Sequence, residues 1–501
     1  MPLKRNLIAN YLGQGWSAVM GLAFIPLYIE YLGMEAYGLI GLYAVMQAWL
    51  TMLDMGMTPT LNREMARYTA GAHTPQSIND LLRSLEIIAI CISVIICTGA
   101  VIASGYLASD WLKVDKIPVT TAAQAISVMG MVVALRFIEG IYRGSLFGLQ
   151  RQVWYNAVNA VIATLRYGGV VFVLAWVSPS IQAFFLWQIA ISLISVGVLS
   201  MGVRRVLPSP PSTPKFALAA VAEIWKFAGG MMLTTFLAIL LTQIDKVLLS
   251  RLLPLESFGY YSLATTVAGV LYVVIGPITN ALYPRMVELA TQNDQKPLAR
   301  LYHQGAQLIT VLLAPAVMLL SFYSEEALFV WSGDAGLAAK AAPLLSVFAI
   351  GVFLNGLMHM PAQLQLANGW VSLGVKTNIV AVLILVPAIF WAVPRYGAIA
   401  ASWIWVVLNA GYVSIAIQLM HRRLFKSEKW KWYFGDVLMP VIGAALVMLL
   451  AKQFQPAVYG NRWEGLLFML IAGAVAFGAS AASADLIRLR LLGLFRQHRA
   501  L

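Results

Sequence analysis

Charge is what this chain has least of. Only 11% of its 501 residues are Asp, Glu, Lys or Arg, against about 25% in soluble domains. With 60% apolar residues and a mean hydropathy of +0.78, the chain is too greasy for a soluble enzyme or a disordered protein. Cysteine is nearly missing. Cys91 and Cys97 are the only two, about 240° apart round a helix, which supports neither a disulfide nor a metal pair. The histidines His73, His303, His359, His421 and His498 are scattered along the sequence, so no metal site is expected. No GxxxxGK[ST] run occurs, so there is no P-loop to draw on ATP. Loops of more than about twenty residues are also lacking, which leaves no room for a soluble catalytic domain.

What is present is a succession of apolar runs of about 20 residues, the length that crosses a bilayer. Fourteen are expected. Those of the first half lie near 7–32, 36–58, 81–105, 118–145, 154–177, 180–203 and 224–250. The others lie near 257–282, 304–325, 339–362, 371–393, 396–419, 434–452 and 464–484. The fold class read from this is all-α, a polytopic membrane protein. With the N-terminus placed in the cytoplasm, 24 of the 34 Lys and Arg fall on that side and seven on the other. Arg136, Arg166 and Lys246 fall inside spans. Such a bias keeps both termini cytoplasmic, and the net charge of +13 reads as topology, not as a nucleic-acid surface.

The sequence also repeats. Shifted by 221 positions, Leu32, Glu35 and Gly38 fall on Leu253, Glu256 and Gly259, and Tyr37 on Phe258. Leu42, Thr58, Leu61 and Met65 fall on Leu263, Thr279, Leu282 and Met286. A shift of 219 joins Asn159 and Val161 to Asn378 and Val380. Halves in the same orientation imply a pseudo-twofold axis along the membrane normal. The expected organisation is a six-helix lobe over 1–205 and a cytoplasmic linker over 206–223 rich in proline (Pro208, Pro210, Pro211, Pro214). A second six-helix lobe follows over 224–420, and 421–501 adds two helices and a basic cytoplasmic tail.

The stretch Tyr31-Leu-Gly-Met-Glu-Ala-Tyr-Gly-Leu39, followed by Leu53-Asp-Met-Gly-Met57 and Arg63, resembles the first helical pair of Wzx-type oligosaccharide flippases. So does Gln243-Ile-Asp-Lys-Val-Leu-Leu249 followed by Gly259-Tyr-Tyr-Ser-Leu-Ala264. These transporters belong to the MOP superfamily, with the lipid II flippases and MATE exporters as relatives, and the resemblance runs along nearly the whole chain. It implies movement of an undecaprenyl-pyrophosphate-linked oligosaccharide from the cytoplasmic to the outer leaflet of a bacterial inner membrane. That movement would serve O-antigen, capsule or exopolysaccharide assembly, without a cofactor. The partners it implies are membrane lipid, Na⁺ or H⁺ as coupling ion, and the polymerase and chain-length regulator of the same pathway.

Ionisable groups inside spans cost at least about 2.5–3.5 kcal/mol each, so they mark candidate sites. Arg136, Glu139 and Arg143 form one stripe on the fourth span, with Glu139 and Arg143 at the i,i+4 spacing of an ion pair. Arg166 on the fifth span reaches a depth comparable to Arg136. Guanidinium forks suit phosphate oxygens, so Arg136, Arg166, Arg143, Arg63 and Lys246 are the candidate pyrophosphate ligands. Glu139, Asp54, Glu86 and Asp245 are candidates for ion coupling or for charge pairing; Asp54 could instead tether the turn at Met55-Gly56. Sugar rings stack on aromatic faces, which makes Trp16, Trp49, Tyr260 and Tyr261 candidate sugar contacts beside their ordinary packing roles. A MATE-like cation antiporter would share the repeat but has little use for in-span arginines. A membrane-embedded glycosyltransferase or ligase would need a larger surface domain than these short loops supply.

Overall fold

Runs that cannot meet water must close their backbone hydrogen bonds within themselves, and the described chain is helical almost throughout. The computed structural model describes residues 2–54, 56–218, 236–237, 239–454 and 462–489. Met55, linker residues 219–223, the start of span 224–250 with Trp225 and Lys226, and Arg490, Arg496 and Arg499 of the tail lie outside them.

The first helices are α1 (Pro2–Ala23), α2 (Ile25–Leu32), α3 (Met34–Leu53), α4 (Met57–Thr69), α5 (Pro75–Tyr106) and α6 (Val119–Gly148). Next come α7 (Gln152–Ala163), α8 (Gly169–Trp176), α9 (Ile181–Val206), α10 (239–252), α11 (Leu255–Gly269) and α12 (Ile275–Thr291). Then follow α13 (Gln295–Phe322), α14 (Ser324–Ser332), α15 (Ala335–Leu357), α16 (His359–Ala367) and α17 (Ser372–Tyr396). The last are α18 (Ala398–Gly411), α19 (Ile417–Arg423), α20 (Met439–Gln453) and α21 (Arg462–Ser483). Twelve stretches of the described chain are long and apolar enough to cross a membrane, and each falls on one of the expected spans. Helices α3 and α10 occupy the two remaining positions.

One boundary differs from expectation. The run 36–58 stops at Leu53, because Gly56 takes φ 78°, a left-handed conformation that glycine adopts freely. Helix α4 then starts as a separate amphipathic piece.

The repeat spacing is kept by the helix ends. Moved by 221, α3 covers 255–274, where the structure has α11 and then a 3₁₀ turn, Val270–Val274. Moved by 219, α6 ends at 367, and α16 ends at Ala367.

Two compact units divide the chain, Met1–Gly259 and Tyr260–Leu501. In the first, the repeat-related motifs meet each other. A Cβ at Gly38 would strike the Leu255 carbonyl, and one at Gly259 the Met34 carbonyl, so only glycine permits this approach. Glu35, 4% exposed, accepts from the backbone N–H groups of Asp115, Lys116 and Ile117 at 2.5, 2.8 and 3.1 Å. Its counterpart Glu256 accepts from Lys116 Nζ at 2.6 Å, and that hydrogen bond raises the lysine above its usual range. The described part of the Pro-rich connector lies strapped along α5. Gln76, Asp80 and Ser84 accept from the backbone of Ser212, Lys215 and Ala217 at 3.1, 2.8 and 2.8 Å.

The second unit is tied at the foot of α13 by a fully buried His303. Its Nδ1 meets Asp436 and its Nε2 meets Glu428 at 2.9 Å. Gln307 donates to the other Asp436 oxygen at 2.9 Å and accepts from the Leu486 N–H at 3.0 Å.

Candidate functional site

The site begins with a backbone irregularity. Between α7 and α8 the chain makes one π turn, Thr164–Gly168, a widening that leaves carbonyls without their helical donors. Inside a membrane those carbonyls need other partners. Three consecutive ones have them: Leu165 O accepts from Trp187 Nε1 at 2.8 Å, Arg166 O from Gln188 Nε2 at 3.3 Å, and Tyr167 O from the Tyr28 hydroxyl at 2.5 Å. The turn is thus held from α9 and α2, and it fixes the direction of the one arginine it carries.

The Arg166 side chain is 7% exposed and meets Glu139 of α6 at 3.4 Å through Nη2. Its Nε has no hydrogen-bond partner among the described residues. Arg136, half-buried one turn along α6, belongs to the same cluster, with Tyr43, Tyr167 and Glu139 among its neighbours. With the Gln47 amide set so that its oxygen faces Arg136, that oxygen accepts from Nε and Nη1 at 3.0 Å each. Two guanidinium groups therefore lie about one carboxylate, which only Arg166 contacts among the described residues, and at a long 3.4 Å. Gln47, Leu50, Arg136, Glu139, Gly140 and Arg143 line a recess of about 210 Å³. That is less than the about 300–1,000 Å³ of sites for drug-sized ligands.

The stripe on α6 is thus present, and Arg166 reaches it from the neighbouring helix. One detail is corrected. Glu139 pairs with Arg166, 27 positions on, and not with Arg143 at i,i+4, because Arg143 turns to the exposed end of the recess, beside Tyr155. Gln47, Tyr43 and Tyr167 were not among the candidates; neutral polar residues in a span carry no charge signal that sequence inspection can catch.

The other candidates lie elsewhere. Asp54 closes the turn before α4, accepting from Thr58 Oγ1 at 2.6 Å and Thr58 N at 3.2 Å. Glu86, 4% exposed, accepts from Tyr142 at 2.9 Å and pairs with Arg204 at 3.1 Å and Arg83 at 3.4 Å. Asp245 is buried on α10, and Lys246 Nζ donates to Thr242 O of its own helix at 3.3 Å; neither lines the recess. Trp16 donates to Thr164 Oγ1 at 3.0 Å, Trp49 is partly buried on α3, and Tyr260 has Lys340 Nζ 5.4 Å from its ring centre. The expectation of sugar contact is corrected for Tyr261. It is 1% exposed and packs edge-on to Phe348, so its faces are spent on the core.

Arg63 sits on α4, outside the recess, and pairs with Glu64 at 2.7 Å. Arg67 and His73 reach the same carboxylate at 3.0 and 2.7 Å. Burial pushes the Glu64 carboxyl up, but the His73 hydrogen bond and the two arginines together outweigh it and hold the group below the usual carboxylate range. A value lower in the folded state than in the unfolded one means stability that is full above the ordinary carboxylate value, about 4.3. It is lost as pH falls through the folded value. Melting temperatures in detergent should therefore hold near neutral pH and fall below about pH 4.5. Glu64→Gln should melt lower at neutral pH and lack that part of the acid slope; an unchanged slope would remove Glu64 from the account.

Comparison with known proteins follows the same lines. The family model described as "Polysaccharide biosynthesis protein" matches residues 3–290, and the MatE model matches residues 230–391. A putative O-antigen transporter of Shigella flexneri is 19% identical over 427 residues, covering 85% of this chain and 99% of its own length. The succinoglycan biosynthesis transport protein ExoT of Rhizobium meliloti (strain 1021) is 23% identical, covering 92% of this chain and 89% of its own. Among solved structures, the lipid II flippase MurJ in an inward closed conformation aligns with a TM-score of 0.69 at 11% identity, over 95% of this chain and 98% of that one. An inward-facing MATE family multidrug transporter of the MOP superfamily gives 0.67 at 13% identity, over 82% and 96%. At such identities the structures establish the shared helical fold.

Proposed function

The chain belongs to the polysaccharide biosynthesis protein family, and from that premise we propose a Wzx-type flippase that moves a lipid-linked oligosaccharide across the membrane. The polysaccharide transporters it resembles over most of their length support this reading. A multi-pass membrane protein of this kind is a transporter rather than an enzyme. The finer proposal is an undecaprenyl-pyrophosphate lipid carried from the cytoplasmic to the periplasmic leaflet of a bacterial inner membrane, with both termini cytoplasmic. Two six-helix lobes, 1–205 and 224–420, would alternate access to it across the 206–223 linker, with 421–501 as an addition.

One observation carries the chemistry: Arg136 and Arg166 cluster about Glu139, which pairs with Arg166, and the buried Arg166 guanidinium has an Nε without a hydrogen-bond partner among the described residues. A buried orphan donor costs about 1–3 kcal/mol, and a pyrophosphate supplies oxygens enough to relieve it. Of the four carboxylates considered for Na⁺ or H⁺ coupling, Glu139 is the one that lines the recess. Asp54 and Glu86 are engaged in turn and helix contacts. The pathway's polymerase and chain-length regulator are the proposed protein partners. The MatE match over 230–391 favours a cation antiporter as the second reading, but such a substrate would be repelled by the recess arginines.

Reconstitution tests the proposal. Proteoliposomes holding the natural undecaprenyl-pyrophosphate oligosaccharide should transfer it to the leaflet that a membrane-impermeant lectin reaches, faster than protein-free vesicles do. Equal rates would refute flippase activity, and efflux of a cationic dye without glycan transfer would select the antiporter.

A further inference from the structure

The repeat brings a second site into view. Residues of α6 that line the charged recess, Arg136, Glu139, Gly140 and Arg143, correspond under the 219 shift to Asn355, Met358, His359 and Ala362. Arg166 corresponds to Leu385. Every charge has become neutral. On the α3 side, under the 221 shift, Tyr43 and Gln47 become Ala264 and Ala268, small apolar residues that are both fully buried.

What stands there is polar all the same. The Tyr272 hydroxyl donates to Asn355 Oδ1 at 3.1 Å, Asn355 Nδ2 donates to Asn409 Oδ1 at 2.8 Å, and Asn409 Nδ2 donates to Trp405 O at 2.8 Å. Asn409 is fully buried, whereas Tyr272, Asn355 and His359 are half-buried. The chain of bonds runs from half-buried Tyr272 to fully buried Asn409, with each amide set by the next. One turn from Asn355, His359 lies 6.1 Å from Tyr272, ring to ring. Its Nδ1 faces the carbonyls of Asn355 and Gly356 at 3.2 and 3.3 Å. Carbonyls only accept, so the proton is on Nδ1, and Nε2 is left as a lone-pair acceptor. It has no partner among the described residues. The site thus offers an acceptor at His359 Nε2, the spare amide hydrogen of Asn355 and the ring of Tyr272, with no net charge.

We propose that this second-half site, Tyr272, Asn355 and His359, binds the hydroxyl-bearing glycan of the substrate. The inference rests on the flippase reading above and adds to it a neutral, sugar-recognising cluster in the second unit. A sugar ring brings O–H donors for an imidazole nitrogen, acceptors for an amide and an apolar face for an aromatic ring. A pyrophosphate would find no cation there.

The experiment compares two probes on full-length protein in nanodiscs. One is sugar-free undecaprenyl pyrophosphate. The other is the undecaprenyl-linked oligosaccharide extracted from source cells lacking this transporter. Wild type should bind the glycan-bearing lipid about tenfold more tightly, the sum of two or three neutral hydrogen bonds. In Asn355→Leu and His359→Leu that ratio should fall towards one, and His359→Gln, which keeps an acceptor, should restore most of it. An unchanged ratio in both leucine variants would overturn the proposal. So would a drop in affinity for both probes in step with melting temperature, which would make the chain of amides interhelical packing. Equal affinities in wild type would defeat this inference alone, whereas a wild type that binds neither probe would defeat the flippase reading beneath it.

Discussion

Alanine at Arg136 or Arg166 should cut glycan export, normalised to protein level, by about a hundredfold. A hydrogen bond to a charged group contributes about 1.5–3 kcal/mol, and a guanidinium fork offers two to one phosphate group. Losing a fork therefore costs about 3 kcal/mol or more, and each 1.4 kcal/mol is tenfold. Lysine should rescue only part of the loss, since it keeps the charge but not the fork. A competing account is purely structural: Arg166 exists to neutralise the Glu139 carboxylate it meets at 3.4 Å. Removing the arginine would then orphan a carboxylate that is 14% exposed, and the fold would suffer. Pairing Arg166→Ala with Glu139→Gln separates the two, because the second change removes the charge that the first left unpaired. The anion-grip reading expects normal protein level and export still near zero. Export restored by Glu139→Gln would end that reading.

Much of this arrangement was legible because its signals are dense. Span positions follow from hydropathy, and the repeat shows in Glu35/Glu256 and Gly38/Gly259, which the structure brings to one crossing at Leu255 and Met34. Arg136, Glu139 and Arg166 announce themselves, since charge in a span is costly and their depths match across neighbouring helices. Which carboxylate pairs with which arginine was not legible. That is decided by the π turn at Thr164–Gly168, and no propensity marks a one-residue insertion in a helix. Tyr43, Gln47, Asn355 and Asn409 were invisible for a different reason: neutral polar side chains in spans are common enough to pass as packing. Tyr261 failed in the opposite direction, as an aromatic beside a motif that proved to be core. His303 was dismissed as isolated because its partners, Glu428 and Asp436, lie 125 and 133 positions further on. Sequence distance hides whatever a fold of this length brings together.

That histidine supports the second large expectation. Asp436 is fully buried, its two oxygens taken by His303 Nδ1 and Gln307 Nε2. Glu428 takes the other ring nitrogen and is held below the usual carboxylate range: burial raises it, but the bond to His303 and the Lys431 ammonium outweigh that. A carboxylate thus faces each ring nitrogen, Asp436 at Nδ1 and Glu428 at Nε2. The cluster ties α13 to the segment entering α20 and, through Gln307, to Leu486 beyond α21. It thus helps to seat the two C-terminal helices against α13, alongside the apolar contact of Val311 with Ala481 and Ala484. Asp436→Ala should destabilise the protein by about 3–5 kcal/mol, because it leaves buried His303 Nδ1 and Gln307 Nε2 without the carboxylate they both meet. In thermal melts of the detergent-solubilised protein this should appear as the loss of much of the folded fraction at 37 °C. Asp436→Leu combined with His303→Leu and Gln307→Leu should recover most of that loss, since apolar side chains of similar volume leave nothing to satisfy. A single Asp436→Ala variant as stable as wild type would show that α20 and α21 are seated by their apolar faces alone. Failure of the triple variant to recover would show that the polar contacts specify where α20 docks, as well as how tightly.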